Sequence, residues 1–175
     1  MLIMAAFATA LHAAPGLRGM AWGAIVSLLC SILPFAFVYR GVRRGRYVNR
    51  TVPCRKQRLL PMCIGLGGMA AAFALLVAIP SAPRELLALV LILLVGLVAT
   101  LGITLRWMIS VNTVIAGGTC TVLYFVYGPA LLLVTPLVAV TAWSRLALEH
   151  HTRSQLIAGA TLGTFVAVAV FTLLH

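Results

Sequence analysis

Long apolar runs alternate with short polar ones along this chain. Stretches dominated by hydrophobic residues occupy positions 19–39, 61–79, 85–105, 112–127, 129–143 and 154–174. A helix needs about 20 apolar residues to cross the hydrocarbon core of a bilayer, so the pattern predicts six spans. The opening run, 1–14, is short for a span and predicts an additional thin helix that stops at Pro15. The fourth and fifth runs are also short. They meet at Tyr127, Gly128 and Pro129, a turn signal that makes them a hairpin. Small residues recur inside the runs, at 65–68, 116–118 and 159–163. Close helix packing accounts for them, and no strand–turn–helix context surrounds them that would suit a nucleotide loop.

Composition agrees with the pattern. Of 175 residues, 63% are hydrophobic and 9% charged, and the mean hydropathy is +1.13. A soluble domain of this size cannot bury so much apolar surface. The expected class is therefore all-α, a polytopic transmembrane helix bundle, with 1–175 as a single integral membrane domain. The four cysteines, Cys30, Cys54, Cys63 and Cys120, form no C-x-x-C pair and read as small hydrophobes. The first residues lack a basic stretch, so a cleaved signal peptide is not expected.

Charge adds an orientation. Lys and Arg number 13, Asp is absent, and the two acidic residues are Glu85 and Glu149. Counting crossings places the polar segments 40–58, 106–112 and 144–155 on one side. That side holds Arg40, Arg43, Arg44, Arg46, Arg50, Arg55, Lys56, Arg58, Arg106, Arg145 and Arg153, while the other side holds Arg18 and Arg84. Eleven against two predicts a cytoplasmic location for the basic side. Arginines at span ends reach for lipid headgroups, which accounts for Arg40, Arg43, Arg44 and Arg46. Nucleic acid is not expected as a partner, because the cations lie between spans and not on a soluble face.

The candidate chemistry lies in the polar segments. "RTVPCRKQR" gathers Arg50, Lys56 and Arg58 in a basic loop that enters the next span at Pro61. "SRLALEHHTRSQ" brings Ser144, Arg145, His150, His151 and Gln155 to the same side. Guanidinium groups suit phosphate because they bind it in a bidentate fork, and an imidazole can attack phosphorus to form a covalent intermediate. Magnesium-dependent phosphate chemistry needs carboxylates, and Glu149 is the one available here. A zinc site is no better supported, since His12 and His175 lie far along the chain and adjacent helical residues point about 100° apart. The expectation is a metal-independent anion site with no cofactor.

These residues resemble the type 2 phosphatidic acid phosphatase superfamily, the membrane relatives of vanadium haloperoxidases. The third motif of that superfamily, S-R-x5-H-x3-D, is similar to Ser144, Arg145 and His151, with Gln155 in place of the Asp. Its second motif, S-G-H, falls on Ser110, Val111 and Asn112. Its first, K-x6-R-P, falls on Arg58, with Thr51 in place of the Lys. The resemblance runs from about residue 40 to 175. It implies an integral membrane hydrolase that cleaves a lipid phosphate or diphosphate. His151 would be the nucleophile and Gln155 would hold its ring. Arg58 and Arg145 would clamp the phosphate, aided by Arg50, Lys56, Ser110 and Ser144.

Asn112 stands where the resemblance implies the acid histidine. An amide cannot protonate a leaving alkoxide, and losing a general acid costs about 10²–10⁴-fold. An alcohol leaving group suffers most, and a departing phosphate or pyrophosphate less. Three readings follow. The first is a phosphatase acting on an isoprenyl or glycerolipid phosphate or diphosphate. The second is a terpene cyclase or lyase that expels pyrophosphate into a cavity lined by Trp22, Trp107, Trp143, Tyr124 and Phe125. The third is a non-catalytic lipid-binding relative.

Overall fold

A computed structural model describes residues 2–45, 55–107, 109–128, 135–147 and 152–174, with the backbone alone at 55–58, 135, 137–138, 145–146 and 174. Every regular element among them is helical. In chain order these are α1 (Leu2–Ala13), α2 (Leu17–Ser27), a π-helical turn (Leu28–Ile32), α3 (Leu33–Arg43), α4 (Arg55–Ala78) and α5 (Arg84–Thr104). The chain then forms α6 (Val111–Tyr127), α7 (Thr135–Ala147) and α8 (Arg153–Leu174).

Among the described residues, four helices are long and apolar enough to cross a membrane: Leu17–Arg43, Leu59–Ala78, Arg84–Thr104 and Arg153–Leu173. They coincide with the first, second, third and sixth expected spans. The fourth and fifth differ. They form α6, of 17 residues, and α7, of 13 described residues. At 1.5 Å per residue these rods reach about 25 and 20 Å, short of the ~30 Å hydrocarbon core. The opening run forms α1, of 12 residues, as the thin helix expected there.

Two boundaries also differ from expectation. The basic segment 50–58 was expected as a loop leading to Pro61, but α4 begins at Arg55 and carries Pro61 inside it. Pro61 removes the N–H that the Gln57 carbonyl would accept. Pro61 is the seventh residue of α4, so the missing bond lies within the first two turns and leaves the rest of the ladder intact. At the far end of the hairpin, α7 continues past Trp143 to Ala147, so Ser144 and Arg145 belong to its last turn.

The π turn has a local cause. Pro34 sits at the start of α3 and cannot donate to the Cys30 carbonyl, and its ring crowds that carbonyl. The chain relieves the crowding by widening the turn: the Leu33 N–H bonds to the Leu28 carbonyl, five residues back.

Helix α5 is the centre of the bundle. Half of its apolar window is buried, against 22–33% in the other long helices. Leu86, Leu89 and Val90 are fully enclosed. It packs against α1, α4, α6 and α8, which explains why α5 is apolar on all sides.

Helices α6 and α8 make the most extensive contact in the molecule. They run parallel. Contacts pair Thr113 with Gly159, Val114 with Gly163 and Phe125 with Phe171, each step advancing in both helices. A parallel pair separated by α7 requires α7 to return the chain to the starting end. The starts of α4, α6 and α8 and the end of α7 therefore share one end of the bundle. Glycines allow the closeness. A Cβ on Gly163 would overlap the Val114 carbonyl oxygen and lie 2.9 Å from the Gly118 nitrogen.

Candidate functional site

The shared end of the bundle gathers the segments that carry the candidate residues. Ile109, almost fully buried, anchors the extended link into α6. The next residue, Ser110, is the N-cap of α6, with extended backbone angles (φ −85°, ψ 107°). Its carbonyl accepts the N–H groups of Thr113 and Val114, both at 3.1 Å, and the Thr113 hydroxyl at 2.9 Å. Its own N–H donates to the Gln155 carbonyl in a long bond of 3.5 Å. The segments of the second and third motifs are thus held together backbone to backbone.

The Ser110 hydroxyl is unusual. A serine at an N-cap normally accepts a bond from an N–H of the first turn, worth about 1 kcal/mol. Here the side chain makes no cap bond. Ser110 is fully buried, and its Oγ, like the hydroxyls of Thr9, Ser27, Thr104 and Thr119, has no hydrogen-bond partner among the described residues; of these five, it is the one at the start of an α-helix. The first N–H groups of any α-helix lack acceptors within the helix, and the helix dipole favours an anion there. The start of α6 therefore offers unused donors and an unused hydroxyl.

Gln155 serves the start of α8. Its side-chain oxygen accepts the Thr152 N–H at 3.1 Å, and its own N–H donates to the Thr152 hydroxyl at 3.4 Å. The pattern T-x-x-Q is a capping box, in which the cap and the third helical residue satisfy each other's N–H groups. The sequence carries this signal at Thr152–Gln155, but the cap was not among the expected roles of Gln155.

Asn112, in the first turn of α6, is half-buried and lines a cavity of about 540 Å³. The remaining walls come from the first turn of α1, the π turn, Phe35 of α3, Ile115 of α6 and Thr141 of α7. Trp22, Trp107, Trp143, Tyr124 and Phe125, expected to line a cavity for carbocation chemistry, are absent from its lining. Trp107 and Trp143 are exposed on the outside of the bundle, as are Tyr124 and Phe125.

Ser144 lies half-buried in the last turn of α7. Arg145 follows it there, and Lys56 and Arg58 lie in the first turn of α4. For these three the backbone alone places them at this end of the bundle. Arg50 and His151 lie outside the described residues, as does Cys54. Of the other cysteines, Cys30 is buried, Cys120 half-buried and Cys63 exposed; none is in a disulfide. Neither protein-family models, nor curated proteins, nor solved structures yield a match to this chain.

Proposed function

We propose that this chain is an integral membrane enzyme that hydrolyses a lipid phosphate or diphosphate without a metal ion. One observation carries the reading. At the start of α6, a fully buried serine hydroxyl lacks a partner, and its residue is bonded directly to the segment that bears Gln155. A buried unpaired hydroxyl costs about 1–3 kcal/mol. An oxyanion seated at Ser110 would relieve that cost and occupy the positive end of α6.

In this reading His151 attacks phosphorus, and the leaving group departs as the phosphohistidine forms. Water then hydrolyses the phosphohistidine. Arg58 and Arg145, assisted by Arg50 and Lys56, hold the phosphoryl oxygens as charge spreads over them. Ser110 and Ser144 donate hydrogen bonds. Gln155, at the start of α8, orients the imidazole. Asn112 supplies no proton, so diphosphates, whose leaving group is a stabilised phosphate, are the better substrates. The chain crosses the bilayer six times, the bilayer thinning locally around the short α6 and α7. Its basic end faces the cytoplasm.

The alternative reading, expulsion of intact pyrophosphate by a cyclase or lyase, draws on Asn112 alone. The outward aromatic residues weigh against it. The test is purified protein in lipid nanodiscs, given isoprenyl and diacylglycerol mono- and diphosphates, with phosphate and pyrophosphate measured separately. Phosphate release that His151→Ala abolishes supports the hydrolase. Pyrophosphate release with a hydrocarbon product supports the lyase. A chain that releases neither is a non-catalytic lipid-binding protein.

A further inference from the structure

The cavity beside Asn112 has a mouth, a floor and an adjoining charge. Three of its lining residues, Ile3 on α1, Ile32 in the π turn and Phe35 on α3, are apolar and 43%, 46% and 58% exposed. In a bundle surrounded by lipid, that side of the cavity opens towards acyl chains and not towards water. Its polar atoms come from Ser31, Asn112 and Thr141, on three different elements. The π turn creates this wall. Pro34 forces the widened turn, and Cys30, Ser31 and Ile32 of that turn all line the space.

Directly beyond the mouth, α3 continues to Arg40 and Arg43, and the chain to Arg44. At 1.5 Å per residue, Arg40 lies about 7 Å and Arg43 about 12 Å above Phe35 along the helix. Arg43 is steadied over the Tyr39 ring, 5.2 Å from its centroid, an arrangement that fixes a cation by its attraction to the ring face. The cations also lie at the C-terminal end of α3, where the dipole favours them. An amphiphile with an anionic head at the arginines would therefore carry its tail down into the cavity.

From this juxtaposition we infer that the cavity is a lateral binding site for the tail of a single-chain anionic lipid, entering from the bilayer between α1 and α3. A volume near 540 Å³ falls within the range of about 300–1,000 Å³ typical of sites that enclose one drug-sized ligand. It accommodates one hydrocarbon chain, whereas the two long chains of a diacylglycerol exceed it. This deepens the proposed function by selecting isoprenyl over glycerolipid substrates, and it rests on that reading only for the fate of the head group.

The test uses the full chain in nanodiscs with a non-hydrolysable prenyl phosphonate that carries a photoreactive diazirine at mid-chain, followed by mapping of the cross-linked residues. Cross-links concentrated at Ile3, Ile32, Phe35 and Ile115 are expected. A tenfold excess of farnesyl phosphonate should suppress them, and the same excess of diacyl phosphatidate should not. Ser31→Trp, which fills the cavity, should lower the cross-linking yield at least tenfold. Ile32→Trp, at the more tolerant mouth, should do the same if Ser31→Trp does not fold. Labels elsewhere on the bundle, equal competition by phosphatidate, or undiminished labelling in a folded tryptophan variant would overturn the inference. The phosphonate cannot be hydrolysed, so correct labelling by a chain that releases no phosphate would refute the hydrolase while leaving the tail site standing.

Discussion

Replacing Gly163 by alanine adds one methyl group at the tightest point between α6 and α8. The new Cβ would overlap the Val114 carbonyl oxygen and lie 2.9 Å from both the Val114 carbonyl carbon and the Gly118 nitrogen. All three are backbone atoms, so no side chain can rotate away. Ordinary contact begins at 3.4 Å, so the two atoms at 2.9 Å alone call for 0.5 Å of relief, and the overlapped Val114 oxygen calls for more. A gap of 0.5–1 Å forfeits a quarter to a half of the dispersion well for each contact it opens. The α6–α8 seam is the largest in the molecule, and overpacking of this kind costs about 1–3 kcal/mol. Gly67 provides the control, because a Cβ there meets nothing within 4 Å. Gly67→Ala should be neutral, or stabilise the helix by about 0.5–1 kcal/mol. Reversible unfolding in mixed detergent micelles, followed by circular dichroism, reads both variants. If Gly163→Ala proves as stable as Gly67→Ala, the parallel α6–α8 packing described above is wrong.

Four further outcomes can be checked directly. Ser110→Ala should lower phosphate release tenfold or more while leaving stability unchanged or raised, because the hydroxyl it removes is buried and unpaired; unfolding and initial rates measured on one preparation decide this. Thr152→Ala and Gln155→Ala should each cost about 1 kcal/mol, and the double variant should cost less than the sum, because both break one capping box. Asn112→His should raise hydrolysis of an isoprenyl monophosphate by about 10²-fold or more while changing diphosphate turnover much less, as the ratio of the two rates will report. Arg145→Ala should abolish turnover of every lipid phosphate, and unchanged initial rates would remove Arg145 from the site.

The long spans were legible because apolar length is a one-dimensional signal. Residues 85–105 form α5 almost to the residue, as a helix that packs against several others and meets lipid on its remaining face is apolar all round. The boundaries near polar residues were less legible. Pro61 reads as a helix start, yet α4 begins six residues earlier, at Arg55, since a proline near a helix end removes only one bond of the ladder. The π turn was not legible at all. Pro34 stands in an apolar run that reads as one continuous span, and the widened turn that relieves its crowding of the Cys30 carbonyl carries no hydropathy signal. Against that turn, Gly68 of α4 lets the Leu29 carbonyl approach. The glycines at 159 and 163 were read as packing residues, and so they are. That they join α6 to α8 in parallel could not be read from local sequence, because it depends on which face each helix turns inward.

The same glycines connect fold to chemistry. A Cβ on Gly159 would overlap the Thr113 hydroxyl oxygen and lie 2.9 Å from the Ser110 carbonyl oxygen. Gly159 lies one helical turn after Gln155, whose carbonyl receives the Ser110 N–H. The absence of a side chain at 159 is therefore what lets the start of α6 settle onto the start of α8. The buried, unpaired Ser110 hydroxyl belongs to the residue whose backbone makes that contact, so a shift between the two helix starts displaces it. Gly159→Ala should consequently impair turnover more than Gly163→Ala, even though the more severe overlap with backbone is at Gly163. Equal activity losses in proportion to stability would mean that the two glycines do no more than pack helices.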